Sequence, residues 1–210
     1  MPRDHRPGKS VRVLLAEDRG TMRGALALLL GMEPDIEVVA QVGRGDEIVD
    51  TALVARPDVA LLGIGLPGRS GLDAAADLRD EVPDCRVLIL ATSGRPGHLR
   101  RAMEAGAAGF LVKDGPVQEL AEAVRAVLRG ETVVDPALAA AALGAGPNPL
   151  TARERDALAA SVDGATIADI AVALHLSEST VRDDLSSAIG KTGARDRTEA
   201  VRAARRQGWL

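Results

Sequence analysis

The sequence predicts a doubly wound parallel α/β domain followed by a small all-α domain. Three observations support this fold class. Up to residue 130, short apolar runs rich in Val, Leu and Ile alternate with segments whose apolar residues recur at helical spacing. A stretch of small residues punctuated by Gly and Pro then interrupts the pattern. Beyond it, four short helical patterns with capping residues indicate a second module.

Five βα units account for the first module. The predicted strands are continuous apolar runs, typical of strands that helices cover on both faces. They span Val11–Ala16, Ile36–Val42, 58–64, Arg86–Ala91 and Gly109–Val112. The predicted helices span 21–30, 46–55, 72–82, 99–105 and Val117–Leu128. Successive units of this kind predict a parallel sheet whose ligands bind beyond the carboxyl ends of the strands.

The ends of these strands predict the functional edge of the sheet. We expect five residues to meet there: Glu17, Asp18, Gly63, Ala91 and Lys113. The third strand lies in the segment PDVALLGIGLPGRSGL (57–72) and ends in a glycine, so it offers no carboxylate.

The second module reads as a helix-turn-helix arrangement. Thr151 with Glu154, and Thr166 with Asp169, have the spacing of capping boxes, so a helix begins at each. Ser177 can cap a third helix that runs to about residue 191, after a short turn, and 197–207 supplies a fourth. We predict a tail at 1–10, a first domain at 11–130, a linker with one helical turn at 131–147 and a second domain at 148–210.

Composition excludes several classes of protein. No apolar run approaches the roughly 18 residues that span a bilayer, and the charged tail does not resemble a signal peptide. We therefore expect a cytoplasmic protein that does not contact a membrane. Cys85 is the only cysteine and opens a predicted buried strand, so a packing thiol is expected. Residues 148–210 carry nine basic and nine acidic side chains, which is not the excess typical of an avid nucleic-acid binder.

Several motifs in the right order carry a family resemblance. They are LLAED at 14–18, PDVALLGIGLPGRSGL at 57–72, GFLVKD at 109–114, LTARE at 150–154 and LSESTVR…KTGARDR within 176–197. The chain resembles the bacterial two-component response regulators of the NarL/LuxR (FixJ) class, with a receiver domain and a LuxR-type helix-turn-helix domain. The resemblance implies a flavodoxin-like sheet of order 2-1-3-4-5 and a transcription regulator, not an enzyme, that binds promoter DNA and needs no cofactor.

The resemblance also assigns roles to the strand ends. Glu17 and Asp18 match the acidic pair that holds Mg²⁺, Lys113 the lysine that contacts the phosphoryl group, and Phe110 the switch aromatic. Gly63, however, stands where the family has its phospho-accepting aspartate, and Ala91 where it has a Thr or Ser. Glycine offers no nucleophile for an acyl phosphate. We therefore predict a receiver that works without aspartyl phosphorylation.

Alternatives remain open at this edge. We expect Lys113 to pair with Glu17 or Asp18. The favoured interpretation of this group is an inert surface ion cluster; the alternative is a residual negative charge at Glu17 and Asp18 that binds Mg²⁺ weakly or binds a basic ligand. The spacing of Gly63, Gly65 and Gly68 also matches a G-x-G-x-x-G fingerprint. An NAD-type enzyme is the least favoured interpretation, because Pro67 removes a backbone N–H and no carboxylate ends the next strand.

The third helix of the second module predicts the DNA contacts. At 100° per residue Asp183 points away from the apolar stripe, with Arg182 and Asp184 on its flanks. The resembling family has neutral polar or aromatic residues where the two aspartates stand, so weakened non-specific binding is expected. The predicted DNA-binding residues are Ser179, Thr180, Arg182, Asp183, Ser186, Lys191, Arg195 and Arg197.

Two functions follow from this interpretation. The first is a promoter-binding homodimer whose receiver serves as a dimerisation platform or binds a small molecule or a protein, with Phe110 and the 117–128 helix at that contact. The second is a regulator that has lost DNA binding and sequesters a partner by heterodimerising. Binding to promoter DNA across a salt series distinguishes the two.

Overall fold

The computed structural model describes residues 10–113, 117–144, 147–162 and 164–210. Residues 1–9 of the predicted tail, Asp114 of the GFLVKD motif and residues 145–146 of the predicted linker lie outside the described residues. The chain divides into two compact units, one of residues 1–94 and 99–139 and one of residues 95–98 and 140–210. No helix in the described ranges is long and apolar enough to cross a membrane.

A six-stranded parallel sheet forms the first unit. Its strands are β1 (Val11–Ala16), β2 (Ile36–Val42), β3 (Val59–Gly63), β4 (Arg86–Ala91), β5 (Gly109–Val112) and β6 (Val133–Val134). Their order is β2-β1-β3-β4-β5-β6, so the predicted order 2-1-3-4-5 is confirmed. The short β6 pairs with β5 and was not predicted, because two residues leave no periodicity to detect. Every residue of β3 is buried, as expected of a strand covered on both faces.

Five helices flank the sheet close to their predicted positions. They are α1 (Gly20–Gly31), α2 (Ile48–Ala55), α3 (Gly71–Glu81), α4 (Pro96–Glu104) and α5 (Val117–Leu128). A 3-10 turn at Gly45–Glu47 replaces the predicted start of the second helix. The fourth helix begins three residues earlier than predicted, at a proline, which the first position of a helix favours.

Helix α1 departs from its predicted packing. The sequence places Met22, Ala25, Leu26, Leu29 and Leu30 on its inner stripe, but Leu30 alone among them is buried. Two further apolar side chains of this segment, Leu28 and Met32, are 71% and 74% exposed. A run of three leucines cannot face one direction on a helix, so α1 leaves an apolar surface in solvent.

A sixth helix, α6 (Pro136–Gly144), lies where the sequence predicts a single helical turn and a linker. Asp135 precedes it and accepts a hydrogen bond from the Leu138 backbone N–H at 2.8 Å. The segment is rich in alanine, the strongest helix former, so one cap is enough to extend the turn to nine residues.

Four helices form the core of the second unit, as predicted. They are α7 (Ala152–Ala160), α8 (Ile167–Leu174), α9 (Glu178–Thr192) and α10 (Arg197–Gln207). Both predicted capping boxes are present, Thr151 with Glu154 and Thr166 with Asp169. His175 ends α8 in the left-handed region with φ of 55°, and the Ser177 side chain then caps α9. This turn fixes α9 as the second helix of the helix-turn-helix pair.

Candidate functional site

Three of the strand-end residues meet at one edge of the sheet. Glu17 follows β1 and is completely buried, Gly63 ends β3, and Lys113 follows β5 with its backbone N–H bonded to the Ala91 carbonyl at 2.8 Å. Ala91 is buried and brings no hydroxyl to this edge. Asp18 is exposed to solvent.

The position of Gly63 is the geometric centre of this cluster. A Cβ atom built on it would lie 3.3 Å from Glu17 Oε2, 3.3 Å from the Ala16 carbonyl oxygen and 3.6 Å from Lys113 Nζ. Gly63 does not have the positive φ that favours glycine. Its φ is therefore open to L-residues, but a Cβ atom there would make tight contacts with the Ala16 carbonyl oxygen and Glu17 Oε2, which would have to shift by a few tenths of an ångström. A side chain at this position would point at the carboxylate and the ammonium.

Charge at this edge is compensated inside the chain. Lys113 Nζ donates a hydrogen bond to Glu17 Oε2, which confirms for Glu17 the expected pairing of the lysine. Arg19 Nε lies 3.4 Å from the other carboxylate oxygen, and an Arg23 guanidinium nitrogen lies 2.5 Å from the Glu17 carbonyl oxygen. Sequence analysis missed Arg19. Because two cations contact one carboxylate, residual negative charge does not develop around Glu17. The ion pairs extend from the buried Glu17 to the Arg19 side chain, which is 58% exposed.

The donor set does not fit Mg²⁺. The ion prefers oxygen ligands in octahedral geometry. Here Glu17 is buried and engaged by Lys113 and Arg19, and Gly63 at the end of β3 brings no carboxylate. Within residues 10–113, 117–144, 147–162 and 164–210, no three His, Cys, Asp or Glu side chains cluster as metal ligands.

Phe110 lies in the interior of the first unit, with 1% of its surface exposed. The prediction that it contacts a partner is therefore wrong, because almost none of its surface is accessible. Aromatic residues favour strands, which is consistent with the position of Phe110 in the sheet. The sequence around Phe110 does not indicate which face of β5 its side chain occupies.

A cavity of about 160 Å³ lies beside Lys113 between α1, β5 and α5. Its walls are apolar except for Lys113, Glu119 and backbone atoms. The apolar side chains that line it are Met22, Ala25, Leu26, Leu29, Leu90, Leu111, Val112 and Leu120. Four of these residues, Met22, Ala25, Leu26 and Leu29, belong to the partly exposed side of α1.

The glycine-rich loop after β3 lacks the features of a dinucleotide site. A Cβ at Gly68 would lie 2.5 Å from an Asp46 carboxylate oxygen, so an acid faces the loop where a pyrophosphate would need donors. One backbone N–H in the first turn of α3 is also unavailable to a phosphate, because the Ser70 hydroxyl accepts a hydrogen bond from the Asp73 backbone N–H.

Cys85 is a free, buried cysteine, as the sequence predicts. Burial and the nearby Asp58 carboxylate raise the pKa of its thiol to about 12. The thiol therefore stays protonated and packs as a small apolar group.

The second candidate site is the exposed face of α9. Val181, Leu185 and Ala188 are buried against the other helices. The exposed residues of α9 that the sequence predicts to contact DNA are Ser179, Arg182, Asp183, Ser186 and Lys191. Thr180 is half-buried, and its hydroxyl bonds to the Ser177 hydroxyl at 2.8 Å within the helix cap.

Lys191 forms an ion pair with the buried carboxylate of Glu154. Its ammonium lies 2.8 Å from both oxygens of Glu154, and the Ser187 hydroxyl donates to the same group at 2.6 Å. Burial by itself would raise the pKa of Glu154. The hydrogen bonds from Lys191, Ser187 and the Thr151 backbone N–H outweigh it and lower the pKa to about 2. Lys191 therefore holds α9 against α7 in addition to any contact with phosphate.

The remaining predicted cations also have partners within the chain. Arg197 donates to the Ala165 carbonyl at 2.9 Å, and Arg195 contacts Glu199 at 3.1 Å with 90% of its side chain exposed. Arg153, which sequence analysis did not single out, lies 3.0 Å from Asp184. A residue on α7 thus neutralises one of the two aspartates of α9.

Two family models together match nearly all of the described chain. One is the response regulator receiver domain, at residues 13–125, and the other is the luxR family of bacterial regulatory proteins, at residues 148–204.

Relatives of similar sequence and solved structures agree with these models. The transcriptional regulatory protein DesR of Bacillus subtilis is 38% identical over 95% of this chain and 99% of its own. The DNA-binding transcriptional activator DevR/DosR of Mycobacterium tuberculosis is 36% identical over 91% of this chain and 92% of its own. The crystal structure of the response regulator ChrA of a heme-sensing two-component system covers 96% of this chain and 99% of its own, at 33% identity and a TM-score of 0.56.

Proposed function

Because the chain belongs to the DNA-binding response regulators of the luxR type, we propose that it regulates transcription without aspartyl phosphorylation of its receiver. It works in the cytoplasm on promoter DNA, catalyses no reaction of its own and needs no cofactor. Its receiver supplies a protein-protein contact or a ligand site instead of a phosphoryl switch.

One observation carries this proposal. The atom that would begin a side chain at residue 63 points at Glu17 Oε2 and Lys113 Nζ, which the family uses on either side of its acyl phosphate. In this chain Gly63 has no side chain to reach that point, and Lys113 is hydrogen-bonded to Glu17. The lysine that would stabilise the phosphoryl oxygens already compensates a buried carboxylate.

The experiment compares DNA binding before and after incubation of the full chain with acetyl phosphate and Mg²⁺. We expect the same Kd for a promoter fragment in both states. A rise in affinity that requires acetyl phosphate contradicts the proposal. Potassium acetate at the same concentration donates no phosphoryl group and controls for ionic strength.

The rival function is a regulator that has lost DNA binding and sequesters a partner. Lys191 and Arg197 are hydrogen-bonded within the chain, so their contacts with DNA phosphates should be weak, which favours this rival. A salt series separates the two functions. A log–log slope of several units with preference for a site supports DNA binding, and no binding at low salt supports sequestration.

We also propose a homodimer, because helix-turn-helix proteins bind paired half-sites as dimers. The exposed apolar side chains at the end of α1, Leu28 and Leu29, and Met32 just after it offer a surface for a second copy in the first unit. The apolar cavity beside Lys113 is the candidate site for a small ligand of this receiver.

A further inference from the structure

Asp183 occupies the centre of the exposed face of α9. The buried residues of this helix are Val181, Leu185 and Ala188, and at 100° per residue the opposite direction points along Asp183. Residues near the N-terminal half of a recognition helix are those that contact base edges in the major groove. Asp183 is the sixth residue of α9, so its position meets this condition.

Asp183 also differs in charge compensation from the other acidic residues of this helix. Each other carboxylate on α9, or bonded to it, is neutralised by a cation. The pairs are Glu178 with Arg182 at 2.6 Å, Asp184 with Arg153 at 3.0 Å and Glu154 with Lys191 at 2.8 Å. Within the described part of the chain, the Asp183 side chain has neither a hydrogen bond nor an ion pair. Its acceptor oxygens are therefore available to an external donor.

The side chains around Asp183 are small. Its neighbours on the outer face are Ser179, Ser186, Ser187 and Gly190. The Ser187 hydroxyl is directed to Glu154, and a Cβ atom at Gly190 would have nothing within 4 Å. The aspartate side chain is short, and this face of α9 carries no long side chain that would hold a base edge away from its carboxylate.

We propose that Asp183 selects a cytosine in the major groove by accepting a hydrogen bond from the cytosine N4 amino group. This inference rests on the proposed DNA-binding function. A carboxylate offers acceptors alone, and cytosine presents a donor without an adjacent acceptor. Guanine presents two acceptors, thymine an acceptor and a methyl group, and adenine places N7 beside its donor. The negative charge also weakens binding to phosphates, so DNA without the cytosine is penalised further.

The test is selection of sites from a random double-stranded DNA library by the full chain. The wild type is compared with Asp183→Asn and Asp183→Ala, and Asp184→Asn serves as the matched control because that carboxylate is already paired with Arg153. We expect the wild type to prefer cytosine at one position of each half-site by about fivefold or more. Asn pairs with adenine N6 and N7, so Asp183→Asn should shift that position to adenine. Asp183→Ala should lose the preference there, and Asp184→Asn should keep it.

Two results overturn the inference, and they are distinguishable. If the wild type enriches a site whose cytosine positions are unchanged in both Asp183 variants, Asp183 does not read a base and DNA binding still holds. If the wild type enriches no site at any salt concentration, the proposed function fails, and the role of Asp183 fails with it.

Discussion

The Lys113 ammonium lies against the Glu17 carboxylate, in front of the space that a side chain at residue 63 would enter. Glu17 is completely buried, and 11% of the Lys113 side chain is exposed. The charge of Lys113 is compensated within the fold, so we expect the pair to contribute to stability and not to phosphoryl transfer.

Loss of that ammonium should destabilise the first unit. Lys113→Met leaves a buried carboxylate without its closest cation, and we expect the free energy of unfolding to fall by about 3 kcal/mol. Urea unfolding followed by circular dichroism measures it. Arg19→Ala is the control, because Arg19 is 58% exposed and should cost no more than about 1 kcal/mol. Equal losses of unfolding free energy in the two variants would contradict the claim that Lys113 is the main compensating cation of Glu17.

The second unit should lose stability in acid through Glu154. Its folded pKa of about 2 lies below the ordinary value of 4.5, so its contribution is complete above pH 4.5 and disappears as the pH falls towards 2. The expected loss is on the order of 2 kcal/mol. Trp209 is the single tryptophan and packs against the core of this unit, so its fluorescence reports the unfolding.

The control for this pH dependence is Glu154→Gln. The amide cannot titrate, so the variant should be less stable at pH 7 and should lose less stability between pH 4.5 and 2. A pH profile as steep as that of the wild type would show that other carboxylates account for the acid loss.

The exposed face of α1 should determine the oligomeric state. We expect Leu28→Glu to shift the chain from dimer to monomer in sedimentation equilibrium, because it places a charge in an apolar contact. Val54→Glu on α2 is the matched control, since Val54 is 87% exposed and lies on a different helix. If both variants dimerise as the wild type does, the dimer contact lies elsewhere.

Local patterns predicted most of the fold. The five longer strands and both capping boxes follow from apolar runs and from residues three positions apart. The order of the strands was predicted from the family resemblance and not from these patterns. The pairing of Lys113 with Glu17 was predictable as well, because parallel strand ends meet at one edge.

Contacts between elements were not predictable from these patterns. Arg19 reaches back to Glu17 from the residue just before α1, and Arg153 reaches from α7 to Asp184 on α9. The assignment of Lys191 to DNA overlooked Glu154, although both lie in motifs that were recognised. A surface arginine or lysine has the same local signature whether it contacts phosphate or a carboxylate of its own chain.

The most direct test of the central claim is the intact mass of the full chain after incubation with acetyl phosphate and Mg²⁺. Gly63→Asp, which restores a carboxylate beside Glu17 and Lys113, is the positive control. We predict that the variant gains one phosphoryl group and that the wild-type mass does not change. A stoichiometric gain of one phosphoryl group by the wild type, on any side chain at this edge of the sheet, would contradict the account.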